Sequence, residues 1–299
     1  MGHHHGSSHK HHDHRVKSNI KVAFFLNFIF TLIEIVGGLM TNSVAILSDA
    51  LHDLGDTLSL GLAWYFQKIS NRGRDSVFSY GYKRFSLLGA IINSIILLIG
   101  SIFILIETIP RLINPEPSDA KGMIVLAVLG VLFNGAAVIR LGGTSGLNEK
   151  VVRLHLLEDV LGWVAVLIGA VIMYFFNLPV IDPILSMLIS AFILFNVVKN
   201  LKHTFQIILQ GIPVNADVNA IKNYLSGLPE IHNYHDFHIW SMDGEYNILT
   251  VHLVLHENLS MNQLNDLKST IKESLTSKGV HHATIEFENR QEKCELIDC

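Results

Sequence analysis

Residues 43–61 read SVAILSDALHDLGDTLSLG, an apolar run in which Asp49, His52, Asp53 and Asp56 are embedded. Ionisable side chains are expensive in a bilayer core, so each one inside an apolar span marks a functional candidate. His52 and Asp56 are four residues apart, which stacks them on one face of a helix. The same spacing recurs in residues 155–163, HLLEDVLGW, between His155 and Asp159. Two such pairs brought face to face present two imidazole nitrogens and two carboxylate oxygens around one point. That is a tetrahedral donor set suited to Zn²⁺. Without thiolates it suits Cu(I) less well, and with two imidazoles it suits Mg²⁺ or Ca²⁺ less well.

Around this pair of runs the chain is greasy. Of 299 residues 49% are hydrophobic and 16% charged, where a soluble protein carries about a quarter charged; mean hydropathy is +0.39. Apolar stretches near the roughly 20 residues that cross a bilayer as a helix fall at about 19–40, 43–67, 85–110, 120–141, 152–176 and 181–200. The reading is six transmembrane helices, of which hydropathy sees the second and fifth least clearly. Residues 1–18 are polar and the first apolar run is too long for a signal core, so no cleaved leader is expected.

Lys and Arg crowd one side: Arg15, Lys17 and Lys21, then Lys68, Arg72, Arg74, Lys83 and Arg84, then Arg140, Lys150 and Arg153, then Lys199 and Lys202. The other side has Arg111 and Lys121. This places both termini in the cytoplasm of a multi-pass protein, with external turns at Thr41–Asn42 and Asn177–Pro179. Spans two and five hold no interior Lys or Arg. Their carboxylates must then keep protons or hold a cation; the rest of the bundle adds little charge beyond Glu34 and Glu107. Metal requires deprotonated carboxylate and neutral imidazole, so loading expels protons, and a site that holds either is an exchanger.

From residue 211 onward the composition is that of a soluble domain, with 6 Lys/Arg and 13 Asp/Glu. A helix is expected at 215–227, strands at His232–Met242 and Tyr246–His256 joined by an Asp243-Gly244 turn. A capping box at Ser260 and Gln263 opens a second helix that ends near Lys278-Gly279, and a strand follows at 282–288. Helix, strand, strand, helix, strand fits a ferredoxin-like α+β sandwich of about 80 residues. The net charge of -4 offers no basic surface for nucleic acid.

The motifs SVAILSDALHDLGDTLSLG, FSYGYKRFSLLGAIIN at 78–93, HLLEDVLGW, HDFHIW at 235–240 and LTVHLVL at 249–255 resemble the cation diffusion facilitator family, closest to its bacterial zinc, cobalt and cadmium exporters, over residues 16 to 290. The resemblance implies a homodimeric, proton-coupled Zn²⁺ antiporter of a cell inner membrane, with H⁺ as the coupling ion and a transport site at His52, Asp56, His155 and Asp159. It implies a cytoplasmic metal site at His235, His252 and Glu288, with Glu286 or His281 as further ligands. Where some bacterial members have a ligand His, this chain has about Asn265, a departure that bears on their two-metal cluster.

The expected organisation is a His-rich tail at 1–18, a membrane domain at 19–210, a metal-binding and dimerisation domain at 211–290 and a short tail at 291–299. Alternation in ILTVHLVL turns Leu249, Val251, Leu253 and Leu255 to the core and His252 to the other face. His238 is expected on the face opposite His235, and His232, His256 and His282 at the surface. His3, His4, His5, His9, His11, His12 and His14 read as a native metal-gathering tail, with an added purification tag as the alternative, and Cys294 and Cys299 as chance cysteines of a disordered end, with soft-metal binding in a reducing cytoplasm as the alternative. Asp49 and Asp53 line an access path or pack in protonated form. Two rivals are a membrane-anchored metal sensor, which leaves the paired intramembrane residues without purpose, and an intramembrane metalloprotease, for which no HExxH motif exists.

Overall fold

The computed structural model describes residues 27–141, 147–292 and 294, with side chains throughout these except at 140–155. The helices are α1 (Asn27–Thr41), α2 (Val44–Ser70), α3 (Phe85–Ile113), α4 (Ala120–Leu141), α5 (Leu147–Phe176), α6 (Ile181–Ile208), α7 (Val218–Ser226) and α8 (Met261–Ser277); the strands are β1 (Ile231–Ser241), β2 (Asn247–Leu255) and β3 (Val280–Glu288). They divide into two compact units, residues 27–64 with 92–200, and residues 65–91 with 201–294.

The first unit is helical. Four of its helices are long and apolar enough to cross a membrane: α3, α4 over Ala120–Ile139, α5 over Leu156–Phe176, and α6. Apolar side chains stay exposed on their outer faces, Phe103, Phe175 and Phe195 each about 70% so, the pattern of a surface solvated by lipid. α2 has the length, at 27 residues, but Asp49, Asp53 and Asp56 dilute its hydropathy. The described helices lie along the expected stretches and overrun them at Ser70, Ile113, Leu147 and Ile208. A helix continues past its apolar stretch into water, and hydropathy reads only the stretch. Residues 19–26 lie outside the described part. Glu107 lies within the α3 span, half-exposed, and pairs with Arg111 one turn further on at 2.8 Å.

Chain reversals follow α1 and α5 where expected, each at an asparagine with positive φ, Asn42 at 54° and Asn177 at 50°. Asparagine tolerates this left-handed conformation and commonly ends helices in it. The first backbone donors of α2 are satisfied from α6. The Asp182 carboxylate accepts from Val44 N at 2.9 Å, Ala45 N at 3.2 Å and the Ser43 hydroxyl at 2.5 Å. A carboxylate there also complements the positive end of the helix dipole. Below this cap Ser186 of α6 bonds Ser48 of α2 at 2.7 Å and Thr108 of α3 at 2.9 Å, so three helices share one polar seam. Glycines bring α2 against α3: a Cβ on Gly100 would stand 2.5 Å from Leu51, and one on Gly55 2.4 Å from Leu97. Small residues serve this close approach in membrane bundles. The apolar core is Phe30, Ile46, Met123, Ala127, Trp163, Val166, Ala170 and Met173.

The second unit carries the α+β fold. Asp217 caps α7 by accepting from Ala220 N at 2.9 Å, which starts that helix at Val218 rather than 215. Ser260 and Gln263 form the capping box of α8 as expected. The sheet order is β1-β2-β3, with β1 antiparallel and β3 parallel to β2. α8 is the crossover that a parallel pair requires. Gly279, with φ of 84°, turns the chain from α8 into β3, which begins at Val280, two residues earlier than expected. Ile221 and Leu225 of α7 and Leu267, Ile271 and Leu275 of α8 pack with Leu249, Val251, Leu253 and Leu255 of β2. The sheet therefore has a helix-covered face, and His252 sits on the other one.

One face assignment is overturned. His235 pairs with His252 and His238 pairs with Thr250, so two residues of β1 oppose one of β2 between them. Asp236 takes φ of 48° in this β-bulge. An inserted residue shifts the alternation by one, and His238 falls on the same face as His235 rather than the opposite one.

Candidate metal centres

In the first unit acidic residues of α2 and α5 come together. His52, Asp56 and Asp159 each offer a ligand atom, all within 4.8 Å of one another. His52 Nε2 lies 3.8 Å from Asp56 Oδ2, as the four-residue spacing demands. Asp159 is buried, and His52 and Asp56 are partly so. His155 belongs to α5, but its side chain lies outside the described residues. Asp49, Asp53 and Glu34 are buried close by, and Glu34 is within electrostatic reach of Asp53, Asp49 and Asp159. The sequence singles out Glu34 as intramembrane charge, but only the packing of α1 against α2 places it in the same acidic cluster.

In the second unit the candidates converge on the sheet face away from the helices. Cross-strand pairing sets His235 opposite His252, and β3 brings Glu286 opposite His252 and Glu288 opposite Val254. His235 Nε2 is 2.9 Å from Glu288 Oε2, and His252 Nδ1 is 2.6 Å from Glu288 Oε1. A proton holds each of these contacts, and a divalent cation bound by the same atoms displaces it. Glu288 is buried, which alone would raise its carboxyl pKa; hydrogen bonds from His235, His252 and Cys294 prevail and hold it below the usual carboxylate value.

The other ring nitrogen of His252 faces Asp236 Oδ2 and Glu286 Oε2, both at 3.4 Å. Outer carboxylates of this kind orient a metal-binding imidazole. Glu286 thus meets His252 at Nε2, the ring nitrogen that Glu288 does not reach. His281 stands apart: its Nδ1 accepts from Asn247 N at 3.2 Å and its ring stacks on Tyr246. Asp236 also reaches His238 at 2.7 Å, so the bulge residue braces two histidines. No alternation rule could find it, because it lies where the alternation breaks.

Cys294 lies six residues beyond Glu288. Its Sγ is 3.7 Å from His252 Nδ1, and it joins His235, His252 and Glu288 in one group of ligand atoms within 4.8 Å. Cys299 and the N-terminal histidines lie outside the described residues.

Arg290 fastens the chain between Glu288 and Cys294. Its guanidinium donates to His232 Nδ1 at 3.0 Å and His256 Nδ1 at 2.9 Å. Arg290, with burial and His256 adding to it, holds the His232 imidazole below its usual pKa. The sign follows: neutral His232 contributes above the unfolded value of about 6.5, and that contribution is lost as pH falls through the lowered folded value. Arg290→Ala is expected to raise the His232 titration toward the ordinary value, read by NMR of the imidazole protons. An unchanged titration would show that Arg290 does not set it.

Comparison with known proteins covers both units. Residues 20–209 match the model of the cation efflux transmembrane domain, and residues 213–290 that of the cation efflux protein cytoplasmic domain. A cadmium, cobalt and zinc/H⁺-K⁺ antiporter of Bacillus subtilis is 32% identical over 94% of this chain and 91% of its own. The metal cation efflux system protein CzcD of Cupriavidus metallidurans is 33% identical over 98% and 93%, and the zinc transporter ZitB of Escherichia coli 32% identical over 99% and 94%. These relatives are transporters, which removes the metalloprotease. With both domain models matched in order, and the motifs around His52, His155, His235 and His252 inside them, the chain belongs to the cation efflux family.

Proposed function

We propose that this chain exports Zn²⁺ from the cytoplasm in exchange for protons. It is a metal efflux antiporter, and the observation that carries the metal reading is the convergence of His52, Asp56 and Asp159 from two helices onto one point. His155 completes the set as a fourth donor. Six spans, α1 to α6, cross an inner membrane with both termini in the cytoplasm. Open to the cytoplasm, the site takes Zn²⁺ and releases protons; open to the outside, protons displace the ion. The C-terminal domain, residues 211–290, is a ferredoxin-like module that pairs two copies of the chain and binds cytosolic metal at His235, His252 and Glu288. The relatives named for zinc, cadmium and cobalt support the substrate class, and the absence of thiolate from the membrane donor set favours zinc.

The test is metal movement in proteoliposomes under an imposed pH gradient. Zn²⁺ should move against the proton gradient, and reversing the gradient should reverse the flux. Metal movement indifferent to the gradient would remove proton coupling. No movement at all would favour the anchored sensor.

A further inference from the structure

We infer that Cys294 is the fourth ligand of the C-terminal metal site, so that this site is a closed N₂OS centre tuned to soft divalent ions. The inference rests on the reading that His235, His252 and Glu288 hold metal, and it adds a donor from outside the folded domain. Four side chains of metal-binding type meet on one sheet face: His235 from β1, His252 from β2, Glu288 from the end of β3, and Cys294 six residues further on. Their ligand atoms all lie within 4.8 Å of one another. Ligands bound tetrahedrally at zinc distances stand about 3.5 Å apart; Sγ is already 3.7 Å from His252 Nδ1, and it shares Glu288 with the two histidines.

The chain between is shaped to return. The Asn289 side chain accepts from Gln291 N at 2.9 Å, and Asn289 O accepts from Glu292 N at 3.1 Å. The turn doubles the backbone back over the open face while Arg290 holds it to His232 and His256. The opposite side of His252 is filled by Asp236 and Glu286, so its Nδ1 is the nitrogen left for the shared ion. Binding forms one S–metal bond, and the thiol proton leaves to solvent. Two imidazoles, one carboxylate and one thiolate close a tetrahedral shell of structural type. The thiolate shifts preference toward softer ions, so this site and the all N/O membrane site are expected to rank metals differently. Metal binding also ties the segment after Glu288 to the sheet.

The experiment uses the full-length protein in detergent, loaded with Co²⁺ and then Cd²⁺. Thiolate-to-metal charge transfer in the ultraviolet reports sulfur ligation, and equilibrium dialysis reports metal bound per chain. The expected result is a charge-transfer band in the wild type and in Cys299→Ser that is lost in Cys294→Ser. Cd²⁺ affinity at this site should fall in Cys294→Ser by more than about tenfold, the lower end of what removing even an outer partner of a ligand does. His252→Ala should lose both the band and one equivalent of metal. If His252→Ala loses its equivalent but the wild type shows no thiolate band, Cys294 is not a ligand and the three-residue site stands without it. A band that vanishes in Cys299→Ser and persists in Cys294→Ser also overturns the assignment. If His252→Ala binds as much metal as the wild type, the reading of the site itself fails, and the inference with it.

Discussion

Asp159→Asn should abolish metal flux while leaving the protein folded. The substitution preserves shape and removes one negative charge from a group of donors in which Asp159 is the buried member from α5. A carboxamide carries no negative charge to offset a divalent cation, and it has no carboxyl proton to give up when the ion enters. Affinity and coupling should therefore fail together. Outer-sphere partners of metal ligands account for about 10–100-fold in affinity, so removal of an inner carboxylate should exceed about 100-fold. The readout is Zn²⁺ uptake and proton counterflow in the same vesicles, with thermal stability as the control for folding. Asp159→Asn vesicles that transport at the wild-type rate would refute the membrane site.

Asp182→Ala is expected to be nearly as damaging, for a reason remote from the ligands. The Asp182 carboxylate satisfies two backbone N–H groups and one hydroxyl at the start of α2, in a place where Ser43, Val44 and Ala45 are buried. Alanine leaves these donors without a partner, at about 1–3 kcal/mol for each buried group, and removes the charge that complements the helix dipole. α2 carries His52 and Asp56, so the loss should appear both as a lower melting temperature and as reduced transport. Asp182→Asn retains an acceptor oxygen and should recover much of the stability. Equal stability of the alanine and wild-type proteins would show that the α2 terminus finds other partners.

The residues that sequence reasoning reaches most securely are those governed by local periodicity. The four-residue spacing of His52 with Asp56 needs only the pitch of a helix, and the capping box at Ser260 only a few adjacent residues. The alternation of Leu249, Val251, Leu253 and Leu255 gives the core face of β2 directly. What escapes is set by distance along the chain or by a break in the period. Asp182 caps a helix that begins 138 positions earlier, which no local pattern reveals. The bulge at Asp236 has no glycine to mark it, and it moves His238 to the other face and brings Asp236 to His252. Cys294 sits beyond the last strand in polar sequence, and only the turn at Asn289 and the Arg290 contacts bring it back to the sheet. The ionisable residues in apolar runs, and the meeting of His52, Asp56 and Asp159, were legible from the repeated four-residue spacing; the place of Glu34 among them was not.

The Asp182 cap also fixes where α2 can pivot. From Val44 to Asp56 is twelve residues, about 18 Å of helix at 1.5 Å per residue. With the capped end held to α6, a swing of α2 by about 10° about the cap would displace Asp56 by about 3 Å, more than a metal–oxygen bond. A rocking of that size would separate Asp56 from Asp159 without sliding any helix past another, and it would disturb least the serine seam near the fulcrum, where displacements are smallest.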